Sequence, residues 1–308
     1  MAVVIPVYQA AETLDPLLRE LLPILATLTP DFEVLLVDDG STDASWAHIE
    51  RAVAGERRVR GLRLIRNFGE HVAITAGLDN VDADLTVIMA CDLQDDPAAI
   101  ARMMQRAAEG CDLVLVRRIA RQDAWTKRLL ARLFYALISL LFHVHYDYRV
   151  GNFRLLSRDA VYYFRSHRER ARNVNAIMTL MGVRTGYVDV GHRARTRGRS
   201  NYTIRRSAVM AASVILGYSQ IPLLVSVVAG SAMGLASLAW AAALGVRSAS
   251  GLQVSPTAVI LSGVGAVGGL LLLNLGIVGA YLGRAATEAK ERPMYYVNAR
   301  AGEQFRQP

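Results

Sequence analysis

The sequence predicts an α/β fold: a doubly wound, mostly parallel sheet, with interfacial amphipathic helices and two C-terminal transmembrane helices. Three observations predict it. Up to about Val116, short β-branched runs alternate with segments of helical periodicity. Those runs are nearly continuously apolar, as strands are when both faces of a parallel sheet are covered. Beyond Arg206 lie two windows without a charged side chain, 40 residues up to Arg247 and 36 from there to Arg284. Each exceeds the ~20 residues that a helix needs to cross a bilayer.

Residues 2–7, 32–37, 59–65, 85–90 and 113–116 are the expected strands. Between the first two, Leu14, Leu17, Leu18, Leu21, Leu22 and Leu25 recur at helical spacing. The segment 125–145 carries Lys127, Arg128 and Arg132 ahead of Leu133, Phe134, Leu137, Ile138, Leu140, Leu141 and Phe142. It reads as a core helix or, preferably, as an amphipathic helix at a membrane surface, its basic residues toward lipid phosphates. The uncharged window from Ser207 to Val246 would be ~60 Å long as one helix, twice the hydrocarbon thickness. Pro222 is the natural break. A second interfacial helix is therefore expected over 204–219, a first span over 221–246 and a second over 256–282. Arg247 stands alone in the connecting loop, whereas Arg205, Arg206, Arg284, Lys290 and Arg292 flank the outer ends. The positive-inside rule then puts the N-terminal domain and the tail in the cytoplasm of a multi-pass inner-membrane protein.

Composition narrows the partners. Of the 308 residues, 53% are hydrophobic and 20% charged, with a net charge of +8. The isoelectric point is about 9.8 and the mean hydropathy +0.25. Beside apolar spans, such a basic balance favours an anionic membrane surface or a phosphorylated substrate, and no nucleic acid. Met1–Tyr8 has no basic n-region and no long apolar stretch, and is expected as a strand, not a signal peptide. Cys91 and Cys111 lie in apolar segments without metal-ligand spacing, as suits a reducing compartment.

Two acidic runs carry the chemistry. The second strand ends in Asp38-Asp39-Gly40-Ser41-Thr42-Asp43. Thr42 or Asp43 can cap the next helix, and acids at a carboxyl strand end can also accept from ribose hydroxyls or a base N–H. No GxGxxG follows Val7 and no GxxxxGK[ST] occurs, so a Rossmann dehydrogenase and a P-loop NTPase both fit poorly. The fourth strand ends in Ala90-Cys91-Asp92-Leu93-Gln94-Asp95-Asp96-Pro97. Asp95 or Asp96 can cap a helix with Pro97 at its first position, which leaves Asp92 unexplained. Its hard oxygens suit Mg2+ or Mn2+ held jointly with substrate phosphates, where the ion would neutralise a departing diphosphate.

Several motifs in order carry a resemblance. Val4-Ile5-Pro6-Val7-Tyr8, the Asp38–Asp43 run, Arg66-Asn67-Phe68-Gly69-Glu70-His71, Asp92-Leu93-Gln94-Asp95, Gly198-Arg199-Ser200-Asn201-Tyr202 and the closing Arg292-Pro293-Met294-Tyr295-Tyr296-Val297 resemble family 2 glycosyltransferases of GT-A fold. More narrowly, the chain is similar to the polyprenyl-phosphate glycosyltransferases, which include dolichyl-phosphate mannose synthase and bacterial enzymes that load glucose or aminoarabinose onto undecaprenyl phosphate. The resemblance implies inverting transfer of one sugar from a nucleotide diphosphate sugar to a polyprenyl phosphate, with Mg2+ or Mn2+, by a homo-oligomer.

Residue by residue, it puts Pro6, Tyr8, Asp38, Asp39 and Asn67 at the nucleotide sugar, with Gln94 beside the metal motif. Asp92 falls on the second acid of the metal-binding DxD, helped by Asp95. Arg118, Arg121, Arg154, Arg199, Ser200 and Tyr202 fall at the acceptor phosphate, and Asp92, Arg118 and Arg154 are the expected catalytic set. The implied division is 1–122 nucleotide-sugar core, 123–203 acceptor side, 204–220 second interfacial helix, 221–283 two transmembrane helices and 284–308 cytoplasmic tail.

The sequence departs from the pattern at Ala90, first position of DxD, at Ala10, at Asn152 in place of Asp, and at Arg199 and Asn201. Asn152 is tolerable because a lipid phosphate is already an anion and needs no general base. Its difficulty is repulsion from the donor diphosphate. The six arginines from Arg193 to Arg206, with no acid among them, suit that need. They also make a polybasic loop for anionic lipid, at ~1 kcal/mol per residue. Ala90 motivates a rival of another class, a membrane-anchored nucleotide-sugar-binding module without catalysis. A polysaccharide synthase fits less well, because Gln-x-x-Arg-Trp is absent. Glu70 with His71 reads as a helix start before a catalytic pair, His143 and His145 diverge on a helix, and Asn274 reads as helix–helix glue.

Overall fold

A computed structural model describes residues 1–119, 150–167, 174, 177–178, 181–191, 221–250, 255–289 and 293–302. The chain divides into two compact units, Met1–Asn201 with Pro293–Pro308, and Tyr202–Arg292.

The first unit is built on β1 (Ala2–Val7), α1 (Ala11–Leu28), β2 (Glu33–Asp38), α2 (Ser45–Gly55), β3 (Val59–Leu64), α3 (Glu70–Asp79), β4 (Leu85–Ile88), α4 (Ala99–Ala108), β5 (Leu113–Ile119), β6 (Val150–Ser157), α5 (Arg158–Ser166), β7 (Thr185–Gly191) and β8 (Val297–Ala301). These strands form one sheet in the order β7-β5-β6-β4-β1-β2-β3-β8. Strands β4, β1, β2 and β3 run parallel, and β7 runs parallel to β5. Against them, β6 is antiparallel to both β4 and β5, and β8 is antiparallel to β3. The expected parallel core is there, and two reversed strands make the sheet mixed.

The apolar runs are continuous because both faces are covered. In β1, Val3, Ile5 and Val7 pack with Leu14, Leu17, Leu21 and Leu25 of α1, while Ala2 and Val4 face the layer of Ala73, Ile74 and Phe164. Each fully buried leucine contributes roughly 1.5–3 kcal/mol relative to exposure. Helix α3 lies close on the sheet: a Cβ on Gly77 would come 2.2 Å from Val4 Cγ1.

The second unit holds α6 (Ile221–Ala249) and α7 (Pro256–Glu288), 29 and 33 residues long. At 1.5 Å per residue they measure ~44 Å and ~50 Å. The two helices approach at Gly230, where a Cβ would lie 3.5 Å from Asn274 Nδ2 and 3.6 Å from Leu270 Cδ2. Asn274 itself donates to Leu270 O within its own helix at 3.0 Å. Among the described residues one window, Ala266–Gly283 in α7, is long and apolar enough to cross a membrane, while α6 contributes a shorter apolar stretch, Val227–Ala236. The expected interfacial helices at 125–145 and 204–219, and the arginine-rich loop between them, lie outside the described residues.

Candidate active site

The carboxyl ends of β1, β2, β3 and β4 open onto one side of the sheet, where their connections are tied together. Asp38 ends β2 with 0% exposure. Its Oδ1 accepts the Ser41 N–H at 3.0 Å, and Arg63 Nε lies 3.2 Å from its Oδ2. Arg63 also donates to Ser41 O at 3.2 Å and lies over the Trp46 ring, 5.6 Å from its centroid. Asp39, 2% exposed, reaches the β3–α3 connection. Its two oxygens accept the N–H groups of Phe68 at 2.7 Å and Gly69 at 2.8 Å. Burial raises the Asp39 carboxyl above its ordinary range, against the lowering effect of those two amides.

Gly40 makes this contact possible. Its φ is +65°, and a Cβ there would fall 2.4 Å from the carbonyl carbon of Arg66. On the other side, Gln9 N donates to Ser41 Oγ at 3.0 Å, Ala10 N to Ser45 Oγ at 2.9 Å and Ala11 N to Asp43 Oδ2 at 3.3 Å. Amides at the start of α1, orphaned by helix geometry, are thus satisfied from the neighbouring loop. Asp43 also accepts from Ser45 N at 3.0 Å, but the N-cap of α2 is Ala44, so neither Thr42 nor Asp43 holds the expected cap position. Pro6 is buried, whereas Tyr8 is 45% exposed and Asn67 is exposed.

The β4–α4 connection carries the second acidic run. Asp96 Oδ1 accepts the Ala98 N–H at 3.1 Å in the turn before α4, but the helix starts at Ala99 with Ala98 as its N-cap, so neither Asp95 nor Asp96 caps it and Pro97 is not its first residue. Asp95 is buried and accepts the Ala90 N–H at 3.1 Å. Asp92 is half-buried, and its Oδ1 accepts the Gln94 N–H at 3.1 Å. Between them Leu93 holds φ at 62°, and Gln9 in the first loop holds 49°. Such left-handed backbone costs a non-glycine residue ~1–3 kcal/mol and gathers at functional loops. Burial pushes the Cys91 thiol up to about 12, and the charges of Asp92 and Glu70 add to the rise. Among the described residues no group of three or more His, Cys, Asp or Glu is arranged to hold a metal. The loop offers one or two carboxylates, which is what Mg2+ uses when phosphates complete its shell.

Strand β6 carries Arg154, expected at the acceptor phosphate. Arg154 is 1% exposed. Its guanidinium donates to Gly151 O at 2.8 Å, Asn152 O at 3.1 Å, Asn152 Oδ1 at 3.2 Å and Met178 Sδ at 3.1 Å. Asn152 in turn donates from Nδ2 to Glu70 Oε1 at 2.6 Å. Next to Glu70, His71 keeps a buried Nδ1 without a hydrogen-bond partner. Burial pulls its pKa down to about 4, and the nearby Arg154 charge pulls in the same direction.

The structure therefore gathers Pro6, Tyr8, Asp38, Asp39, Asn67, Asp92, Gln94 and Asp95 at the carboxyl ends of β1, β2, β3 and β4 and on the loops that follow them. Arg118 lies in β5 in register with Val190, while Arg121, Arg199, Ser200 and Tyr202 are outside the described residues. Arg63, Ser41 and Ser45 were not singled out from sequence. One signal could have found Arg63: a charged residue next to the last residue of an otherwise largely apolar strand.

Known proteins match this arrangement. The family model for Glycosyl transferase family 2 matches residues 2–165. An uncharacterized glycosyltransferase from Synechocystis sp. is 31% identical over 300 residues, which is 97% of this chain and 94% of that protein. The undecaprenyl-phosphate 4-deoxy-4-formamido-L-arabinose transferase of Serratia proteamaculans is 30% identical over 317 residues, covering 99% of this chain and 94% of the relative. In three dimensions the crystal structure of Mycobacterium tuberculosis glucosyl-3-phosphoglycerate synthase superposes with a TM-score of 0.50 at 20% identity, over 70% of this chain and 77% of that one, a likeness of fold. With the family's domain over more than half its length and a relative matched nearly end to end, this chain belongs to glycosyl transferase family 2 and is a glycosyltransferase.

Proposed function

We propose that this glycosyltransferase moves one sugar, with inversion, from a nucleotide diphosphate sugar to a polyprenyl phosphate at the cytoplasmic face of a membrane. The observation that carries the reading is the match, along nearly the whole chain, to transferases named for undecaprenyl phosphate. The apolar helix α7 supports it, because the acceptor lipid resides in a bilayer. With α6 it would make the two spans, both termini on the cytoplasmic side.

In this reading Pro6, Tyr8, Asp38, Asp39 and Asn67 receive the base and ribose, with Asp38 and Asp39 held rigid by Arg63 and by the Phe68 and Gly69 amides. Asp92, with Asp95 and Gln94 near it, would hold Mg2+ or Mn2+. Bound there, the ion would neutralise charge on the departing diphosphate. A lipid phosphate oxygen forms the new bond to the anomeric carbon as the bond to the diphosphate breaks, the electron pair leaving with the nucleotide. No proton need be removed from the nucleophile. Arg118, Arg121, Arg199, Ser200 and Tyr202 would hold the incoming phosphate against repulsion. Arg154, enclosed as it is, would act through Asn152 as a positioning residue.

The test is direct. Purified protein is given a short polyprenyl phosphate and a panel of UDP-, GDP- and dTDP-sugars, with Mn2+ or with chelator. Formation of a polyprenyl-phosphate sugar by one donor is the expected result. Nucleotide binding without transfer to any acceptor would instead identify the non-catalytic binding module.

A further inference from the structure

The closing motif Tyr295-Tyr296-Val297 follows α7 in the chain and joins the catalytic sheet at β8. The ladder between β8 and β3 ends with Leu64 opposite Val297. Covering the edge of β3 accounts for that ladder. Two further bonds fall outside it. Tyr296 O accepts the Ile65 N–H at 3.0 Å, and the Tyr295 hydroxyl donates to Asp79 Oδ2 at 3.2 Å. Ile65 is the first residue after β3, and Asp79 is the last of α3. The tail therefore grips both ends of one segment, residues 65–79.

That segment carries the loop on the donor side. Its middle is held by Asp39 through the Phe68 and Gly69 amides, and the backbone of Arg66 lies against Gly40. Asn67, expected at the nucleotide sugar, stands exposed between the holds at Ile65 and Phe68. Gly69 then leads into α3 with φ at +101° and open space where a Cβ would lie. A glycine with that freedom samples several backbone conformations unless its flanks are fixed. The Asp39 clasp fixes the Gly69 amide itself. The tail fixes what lies on either side: the strand exit at Ile65, and the far end of the helix that Gly69 enters. Tyr295 also packs against the buried layer that includes Ala73 and Ile74 of α3, which steadies its ring for the bond to Asp79.

We propose that Tyr295 and Tyr296 are positioning residues of the donor site, which act through Asp79 and Ile65 to hold the Arg66–Gly69 loop in the shape that receives the nucleotide sugar. The inference rests on the donor-side reading above and adds to it a frame supplied by the far end of the chain.

The experiment compares the full-length protein in detergent with Tyr295→Phe and Ile65→Pro. The first keeps the ring and removes the hydroxyl. The second removes the N–H that Tyr296 O accepts, at a position whose side chain is exposed. Calorimetry with UDP, GDP and dTDP reads donor affinity. Initial rates with the matching nucleotide sugar and a short polyprenyl phosphate read the two KM values, and the melting temperature controls for folding. Expected in each variant is a loss of nucleoside diphosphate affinity of about two- to tenfold, the fold-change of one net hydrogen bond. The KM for nucleotide sugar should rise by the same factor, with the KM for polyprenyl phosphate unchanged. Adding Tyr295→Phe to Asp79→Ala should cost nothing beyond Asp79→Ala alone, because both remove one bond. Additive losses there overturn the route through Asp79. Wild-type nucleotide affinity in either variant removes that tyrosine from the frame, and in both it overturns the inference, whatever the melting temperature does. An equal rise in both KM values overturns it too, since general loosening would act on donor and acceptor alike. Absence of binding of all three nucleotides by the wild-type protein overturns the donor-side reading and the inference together.

Discussion

The Asp39 carboxylate spans from the end of β2 to the backbone of Phe68, 2.7 Å away, and ties the second strand's loop to the third's. Its other oxygen takes the Gly69 amide. An acid that the sequence marks as a ligand for ribose is also the clasp that shapes the loop around it.

Removing that clasp has two consequences. Asp39→Ala strands two amides, a loss on the order of 3 kcal/mol. Asp39→Asn fares little better, because its amide nitrogen must face an N–H donor. Thermal unfolding should fall in both variants, and nucleoside diphosphate affinity with it. A variant that melts normally and binds normally would separate the clasp from the site.

Gly40→Ala tests the same junction by bulk. With φ at +65° and backbone carbon 2.4 Å from the new Cβ, the Arg66–Asn67 segment must move. Calorimetry should show weakened nucleotide binding even where the protein still folds, and unchanged affinity would mean the loop lies outside the donor site.

His71 predicts an acid-side loss of stability. Its pKa falls from 6.5 to about 4 in the folded state because the imidazole is buried beside Arg154. Between those values the unfolded chain binds a proton that the folded chain refuses. The contribution is therefore complete above about pH 6.5 and is lost progressively as the pH falls toward 4, on the order of 3 kcal/mol in all. Melting temperatures measured across that window should drop for the wild type and drop less for His71→Phe.

Asp92→Asn keeps an acceptor for the Gln94 amide, so the turn should persist. Turnover should nearly vanish, and chelator should do the same to the wild type. Full activity in chelator would exclude the ion from the reaction.

The acceptor side is tested by Arg118→Ala and Arg199→Ala. Each loses a charge-assisted hydrogen bond of ~1.5–3 kcal/mol, a roughly ten- to hundredfold loss in acceptor efficiency. Nucleoside diphosphate affinity should stay near wild type. Loss of nucleotide affinity with intact acceptor kinetics would move these arginines to the donor.

What the sequence made legible follows from burial on two faces. Strands β1, β2 and β4 are apolar runs that no solvent-facing strand would carry, and α1 keeps leucines such as Leu14, Leu17 and Leu21 on one buried side. The reversed strands were hidden for separate reasons. Strand β6 places the charged Arg154 in mid-strand, buried, where the Gly151 and Asn152 carbonyls, the Asn152 side chain and Met178 Sδ accept its N–H groups. Strand β8 is five residues at a sheet edge with alternating exposure, a pattern too short to distinguish from a loop. The acidic strand ends could be read as a site because their residue types suit no apolar core. The Glu70–Asn152 bond could not, since it joins residues 82 apart and depends on the reversal of β6.

Strand β8 also orders events during synthesis. It zips onto β3 from Val297 to Ala301, and Tyr296 O accepts the Ile65 amide just before the Arg66–Gly69 loop. Tyr295 adds a bond from its hydroxyl to Asp79 at the end of α3. Those partners are translated after α6 and α7 and leave the ribosome behind them. Until then the edge of β3 offers unpaired amides and carbonyls, the kind of edge on which chains aggregate. A nascent chain thus finishes its catalytic sheet last, after its apolar helices have met whatever receives them. Messages stopped just before the Tyr295 codon should yield protein that carries every strand-end acid and is nevertheless cleared by proteases.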